Sequence, residues 1–491
     1  DFLDKTPDNR TELNTDQKIA KLLVSAYADV SPNELFELYS DNSDDSGPTY
    51  GYYKLSEQEC YHWQDTKEEY QDTPNSLWGG YYSAIAAANM ALNAIEEKGN
   101  PASLDPQRGE ALVCRAYCHF MLANIFCNAY DTHASQSLGV PYMEEVETTV
   151  SPRYERGTLE EVYRKVERDL LEGIDLISDD SYSVPKYHFT RKAAYAFAAR
   201  FYLYYMKPDF SNCDRVIDFA TRVLGTNPAD LLRNWEALGN LSVNGNVQAD
   251  AYIASSNEAN LLISSTVSNW GAIGSDYLIG PRYFHNQTLA TSETCLSSGL
   301  WGSSDYFYLK PFSTNGFVAS ILRKSGLYEG TYLYYMPVLF STDETLLCRA
   351  EAYALKKMYA QSAADITSWQ RAYTRNKSVL TPEQINTYYD RMSFYTPFTQ
   401  QTPKKKLAPD FMIEEGMQEN FIHCILHIRR ITTLHEGMRW PDIKRYGILI
   451  YRRDMANQRV TDEMPPNDLR YAIQIPRSVI VAGIQPNPRR N

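Results

Sequence analysis

The sequence predicts a mostly α fold: tetratricopeptide-like helical hairpins form a scaffold, interrupted by long, irregular, loop-rich insertions. Three observations carry this reading. Apolar residues recur at spacings of three and four along much of the chain, the signature of one buried helix face. Several of these helices come in pairs with small residues inside and proline soon after, as in a degenerate helical repeat. Two stretches, 30–75 and 225–345, lack the period and are rich in Ser, Asn and aromatic residues, which marks them as functional insertions.

The elements follow in order. Residues 14–29 open the helical series. Residues 76–97 place Trp78, Tyr81, Tyr82, Ile85, Asn89, Leu92 and Ile95 on one face, with Ser76 as the expected N-cap. Residues 106–129 continue with Leu112, Cys114, Ala116, Phe120, Ala123 and Phe126. Thr158 and Glu161 read as a capping box for a helix to about Ile177. Ala193–Met206 with Cys213–Leu224 forms one expected hairpin, and Leu346–Met358 with Gln361–Arg375 another. The segment Leu347-Cys-Arg-Ala-Glu-Ala-Tyr353 has the small-residue pattern of a tetratricopeptide repeat. The scaffold is expected over about 14–225 and 346–450, the loop-rich insertion over about 225–345, and an extended tail over about 466–491, all within one domain spanning 1–491.

The 491 residues are 43% hydrophobic and carry a net charge of −13. Such an acidic chain without a basic face argues against nucleic acid, since phosphate binding needs clustered Lys and Arg. The Lys404–Lys406 triplet is too short to change this and reads as a solvated loop. No run of 18 apolar residues reads as a membrane-crossing helix, and the chain opens at Asp1 in a polar segment without a leader pattern. The eight cysteines are irregularly spaced and are expected as buried thiols rather than a disulfide or zinc framework.

The ordered set of motifs resembles the SusD family. Trp78-Gly-Gly-Tyr-Tyr-Ser-Ala-Ile-Ala-Ala-Ala-Asn89 and Gly109 to Phe120 are similar to its first repeat helices. Gly139-Val-Pro141 resembles the loop that follows, and Arg156-Gly-Thr158 through Leu170 the next helix. Ala350-Glu-Ala-Tyr353, His435-Glu-Gly-Met-Arg439-Trp-Pro-Asp442 through Gly447, Ile475-Pro476 and Gln485-Pro-Asn-Pro488 complete the series. His435 and the in-helix Pro441 depart from the usual pattern, and Pro441 is expected to start a new turn. The resemblance implies a protein of Bacteroidota, lipid-anchored on the outer face of the outer membrane through a cysteine that this chain does not contain. It implies a lid on a SusC-like TonB-dependent transporter, binding an oligosaccharide, or a peptide in RagB-like branches, without cleaving it. No cofactor is expected; a structural calcium is left open without being predicted.

Other constellations carry less. His423 and His427 share a helix face but lack the Glu of H-E-x-x-H, and read as packing. Asp41 to Gly47 resembles a calcium loop, but Ser46 and Tyr52 stand where Gly and Glu are needed, so a solvated turn is expected. The adjacent acidic pairs, such as Asp44–Asp45, read as loop charges and not as a glycosidase pair. Glu436, Arg439, Asp442 and Arg445 read as an ion-pair network. Enzyme activity therefore has no support in the residues.

The ligand surface is sought in the 38 tyrosines and the tryptophans of the irregular segments, since flat rings cover the C–H faces of sugars while polar neighbours bond the hydroxyls. Trp270, Tyr277, Tyr283, Trp301 and Tyr306 are the candidates in the middle insertion, Trp270 and Trp301 foremost. Tyr53 and Trp63 are the candidates from a second group that also holds Tyr50, Tyr52 and Tyr61. The function expected is a glycan-binding accessory of an outer-membrane transporter; the alternative is a peptide-binding accessory of the same fold.

Overall fold

In the computed structural model, residues 13–50, 53–147, 154–242, 247–272, 282–309, 327–329 and 332–490 are described. Helix α1 (Asp16–Leu22) is capped by the Thr15 hydroxyl and gives way to a 3₁₀ turn at Leu23–Ala26. The stretch expected to be irregular contains α2 (Asn33–Tyr39), strand β1 (Asp44–Asp45) and α3 (Leu55–Tyr61). These short helices bury Asn33, Glu34, Glu37, Ser56, Glu57 and Glu59, so polar residues stand where an apolar period would be.

The scaffold proper begins with α4 (Pro74–Glu97). Its N-cap is Thr73, not Ser76, because Pro74 supplies a pre-set φ at the first helical position. Helix α5 (Asp105–Phe126) is buried on every side from Gly109 to Phe126 and forms the centre of the first repeats. Helix α6 (Leu159–Leu176) starts from the expected capping box: Thr158 Oγ1 accepts from the Glu161 amide, and Glu161 accepts from the Thr158 amide. Gly109 and Gly173 let α5 and α6 touch by backbone, and a Cβ on either would lie 2.8 Å from the other's carbonyl oxygen. Helices α7 (Arg191–Tyr204, capped by Thr190) and α8 (Ser211–Leu224) form the first expected hairpin.

The middle insertion holds α9 (Trp235–Gly239), α10 (Val247–Ile253), β2 (Asn260–Ile263), β3 (Thr266–Val267), β4 (Tyr283–Phe284), α11 (Gln287–Glu293), β5 (Leu327–Glu329), β6 (Tyr332–Tyr335) and β7 (Val338–Ser341). The pairings are antiparallel: β2 with β7, β6 between β3 and β5, and β4 with the distant β1. The chain then returns to α12 (Thr342–Leu355) and α13 (Tyr359–Tyr373), the second expected hairpin, followed by α14 (Pro382–Arg391), α15 (Met417–Thr432) and α16 (Arg439–Tyr446). A new helix, α16, begins at Arg439 with Pro441 in its first turn, where the missing N–H costs nothing, in keeping with the expected new turn. A hairpin, β8 (Ile450–Asp454) with β9 (Arg459–Met464), and the short α17 (Arg477–Val481) finish the fold. One apolar cluster takes residues from Ile19 to Ile484.

Buried charge pairs repeat the helical logic. Arg115 of α5 grips Asp169 of α6 through two bonds of 2.7 and 2.9 Å, and Arg349 of α12 grips Asp365 of α13 through two of 2.8 Å. Arg349 also donates to the Gly225 carbonyl at the end of α8, so the two groups of repeats are joined. Of the four residues expected as an ion-pair network, Arg445 pairs with Asp442, while Arg439 turns to Asp41 and Glu436 accepts from the Tyr252 hydroxyl; Asp442 also accepts from Arg429, and Arg445 reaches Glu351. Arg156 donates to the Gly139 carbonyl, the Gln485 carbonyl and Asn487 Oδ1, which clamps the C-terminal tail onto the first repeat.

Two loop expectations fail for one reason. Lys404 and Lys405 are buried, not solvated. Lys405 Nζ pairs with Asp41 at 2.6 Å and Glu293 at 3.0 Å, and Arg439 pairs with Asp41 at 2.8 Å. The Asp41–Gly47 turn is thereby neither solvated nor a calcium loop: its carboxylates are taken by cations from the scaffold. All eight cysteines are buried and unbridged. His423 pairs with Glu419, and His427 Nδ1 meets the Tyr389 hydroxyl at 2.9 Å, both inside the α15 packing.

Candidate functional site

The candidate surface is built on the β1–β4 ribbon, where residues 240 positions apart in the chain are brought side by side. Asp45 pairs in register with Tyr283, and the Ser46 amide donates to the Arg282 carbonyl at 2.9 Å. Arg282 then binds Asp45 with both arms of its guanidinium, at 2.8 and 2.9 Å. That bidentate pair, half-buried, holds the guanidinium 5.4 Å from the Tyr53 ring centre and 5.1 Å from that of Tyr283. Tyr283 stacks on Tyr61 at 4.7 Å, and Tyr53 stands edge-on to Tyr283 at 5.5 Å. His62 closes the group, 5.7 Å from Tyr283. Burial, and Arg452 next, hold its imidazole below the ordinary value, so it is neutral at pH 7 and offers one donor and one acceptor.

The floor is rigid. Arg452 of β8 is fully buried between the rings of Tyr61 and Trp63, 4.1 and 4.2 Å from their centres. Among the described residues it has no carboxylate partner; its donors cap the end of α2 at the Leu38, Tyr39 and Ser40 carbonyls and reach the Tyr61 carbonyl. Four carbonyl dipoles and two ring faces replace the water this charge gave up. Arg453 beside it pairs with Asp44 at 2.7 Å. The ribbon is thus fixed from below by two consecutive arginines.

Against this geometry the sequence candidates divide. Tyr53, 36% exposed, and Tyr306, 43% exposed, present rings to solvent. Trp301 is 0% exposed and packs among Phe307, Trp369 and His427, and Trp270 is 3% exposed with its indole N–H on the His435 carbonyl at 2.8 Å. A ring with no open face cannot stack on a sugar, so the two foremost candidates are corrected to core residues. Trp63 is corrected likewise: it is half of the Arg452 clamp, and its indole donates to the Tyr39 carbonyl at 2.8 Å. Tyr283 is buried as the support of Tyr53, its hydroxyl without a hydrogen-bond partner among the described residues. Tyr277 lies outside the described residues. Tyr306 belongs to a separate patch, with Tyr308 under the Arg375 and Lys377 cations at 4.9 Å each.

Sequence reasoning missed His62 and the pairing of Asp45 with Arg282. Both residues of the pair stand beside legible signals, the Asp44–Asp45 run and the aromatic Tyr283–Phe284, but their union is a tertiary fact. As for metals, one surface group among the described residues, Asp131, His133 and Asp410, brings three ligand atoms within 4.8 Å of one another; Asp410 already accepts from the Thr132 amide and hydroxyl.

Comparison with known proteins bears on the whole arrangement. Residues 1–203 match the SusD-like family model described as "Starch-binding associating with outer membrane". Solved structures align over nearly the full length. A SusD superfamily protein of Bacteroides thetaiotaomicron has TM-score 0.64 at 17% identity, covering 96% of this chain and 98% of its own. The fold is that of the SusD superfamily. Another structure, described as a putative sugar binding protein from Bacteroides vulgatus, has TM-score 0.65 at 20% identity, covering 97% of this chain and 99% of its own. A third, from Bacteroides fragilis, has TM-score 0.64 at 16% identity, covering 96% and 98%. No curated protein sequence matches this chain.

Proposed function

We propose that this protein is a non-catalytic glycan-binding accessory at the cell surface, delivering oligosaccharides to a SusC-like TonB-dependent transporter. The observation that carries the binding half is the exposed Tyr53 ring beside the Arg282–Asp45 pair and neutral His62. A neutral sugar offers C–H faces and hydroxyls. A ring covers the former, and a guanidinium–carboxylate pair with an imidazole supplies donors and acceptors in fixed positions for the latter. Asp44 and Asp45 are each engaged by an arginine, which suits anchoring. The outer-membrane location rests on the SusD-like family description, and the transporter and the lipid anchor rest on the resemblance of the sequence motifs.

The peptide reading has one feature in its favour, a groove of about 710 Å³ lined by Trp78, Tyr82, Met90, Met143, Val479 and Ile484. Its apolar walls suit side chains better than hydroxyls. An array carrying glycans and peptides decides between the two. Binding confined to glycans is expected, and each bound glycan should be recovered intact by chromatography after overnight incubation. Binding confined to peptides, or turnover abolished by one carboxylate substitution, would overturn the reading.

A further inference from the structure

Apart from the ribbon, the exposed Tyr306 ring stands beside three cations of one turn. The ring rests on Gly302, where an added Cβ would lie 2.8 Å from its Cε2, so one side of the ring is held by backbone while the residue stays exposed. The end of α13 folds back against this segment. Phe307 bridges to Thr374, and the Arg375 amide donates to the Tyr306 carbonyl at 2.8 Å. The Asn376 side chain donates to the Trp301 carbonyl at 3.1 Å. Arg371, Arg375 and Lys377, all exposed, are thereby set next to Tyr306 and Tyr308. The three spend only part of their donors, and on backbone carbonyls. Arg371 Nε donates to Lys377 at 2.9 Å, Lys377 Nζ to Thr374 at 3.1 Å, and Arg375 Nη1 to Asp305 and Phe307 at 3.2 and 2.7 Å. Among the described residues none of the three has a carboxylate partner, and the Nε–Nη2 edge of Arg375 has no hydrogen-bond partner.

Elsewhere in the fold that same edge grips a carboxylate with two bonds: Arg115 holds Asp169, Arg282 holds Asp45, Arg349 holds Asp365 and Arg439 holds Asp41. The planar fork matches the paired oxygens of a carboxylate or a sulfate. In a chain of net charge −13, three neighbouring cations without a carboxylate of their own make a local positive field. An anionic group alone would satisfy the fork and leave the ring uncovered. A sugar that carries the anionic group satisfies both, since its C–H face covers a ring. We propose that this patch is a second saccharide site, selective for an acidic sugar, a uronate or a sulfate ester, with the anionic group on the Arg375 edge and the sugar face on Tyr306. Arg371 and Lys377 draw the charged ligand in. The site rests on the glycan reading for its class of ligand and is independent of the ribbon.

The test is calorimetric titration of the full chain with an oligogalacturonate, a sulfated oligosaccharide, a neutral gluco-oligosaccharide and an oligoglutamate peptide, all of one length. At least one of the two acidic saccharides should bind, and more tightly than the neutral one or the peptide, with an affinity that falls as salt is raised. Tyr306→Ala and Arg375→Gln should each weaken that binding about tenfold, Lys377→Gln should weaken it less, and Tyr53→Ala should leave it unchanged. Circular dichroism checks each fold, and Lys377→Gln keeps the test open should Arg375→Gln unfold. Failure of both acidic saccharides to bind, equal binding of the peptide, or parent-like affinity in the folded patch variants would overturn the proposal. Loss of acidic-sugar binding in Tyr53→Ala alone would overturn it too, by moving that sugar to the ribbon. Neutral glycans bound without any acidic one would overturn this proposal and leave the glycan reading standing, whereas binding confined to peptides would overturn both.

Discussion

His119 shows how much one side chain can report about its surroundings. It is fully buried in α5, its Nδ1 lies 2.9 Å from the Arg115 carbonyl, and its Nε2 lies 3.0 Å from the Met143 amide. A carbonyl needs a donor and an amide needs an acceptor, so only the neutral ring protonated at Nδ1 satisfies both. Burial drives its pKa down to about 3 from an ordinary 6.5. The sign follows: between pH 6.5 and 3 the unfolded chain binds a proton that the folded chain refuses. Stability is therefore fully present above 6.5 and lost as pH falls toward 3, by an amount on the order of a few kcal/mol. Urea denaturation at pH 7.0, 5.5 and 4.5 should show this loss in the parent, and His119→Asn should be destabilised at pH 7 with a shallower pH slope. An unchanged slope would contradict the assignment. The periodicity of α5 made the helix legible without singling out His119, and its tautomer and partners were not legible, because Met143 reaches it from a loop.

At the scale of elements, the long helices were readable because each carries its own apolar period and caps. The Thr158 box appears in the structure where the sequence indicates. The short α2 and α3 were not readable, since each buries polar and apolar residues together, which breaks the apolar period, and α2 is held by a buried cation far along the chain, Arg452 on its carbonyls. The close contact of α5 with α6 rests on two glycines. Gly173→Ala would place a methyl group 2.8 Å from the Gly109 carbonyl and 2.7 Å from a Val113 methyl. Separating the helices to accommodate it should cost about 1–3 kcal/mol, more than the small gain in helix propensity returns. Equilibrium unfolding checks this, and a more stable variant would show that the helices have room to spare.

At the scale of the molecule, the SusD-type scaffold and its insertions were legible from the order of the motifs, while the binding surface was legible only in part. Composition directs attention to tryptophans in the insertions, yet large rings on a loop-rich insertion are also what such an insertion needs for its own core. Trp270 went to that use, Trp301 packs the insertion onto the scaffold at Trp369 and His427, and exposure fell to the tyrosines. The β1–β4 ribbon, joining residue 45 to residue 283, is invisible to any local pattern.

The central claim is that sugar binds on this ribbon. Its most direct test is calorimetric titration of the strongest array ligand against the parent, Tyr53→Ala, Arg282→Gln and Trp301→Phe, with circular dichroism confirming each fold. Loss of one stacking ring is worth roughly 1–3 kcal/mol, by analogy with bases on aromatics. Tyr53→Ala and Arg282→Gln should therefore each weaken binding about tenfold or more, while Trp301→Phe, altered only in the core, should bind like the parent. Parent-like affinity in both ribbon variants, with the fold intact, would contradict the account and move the site away from this surface.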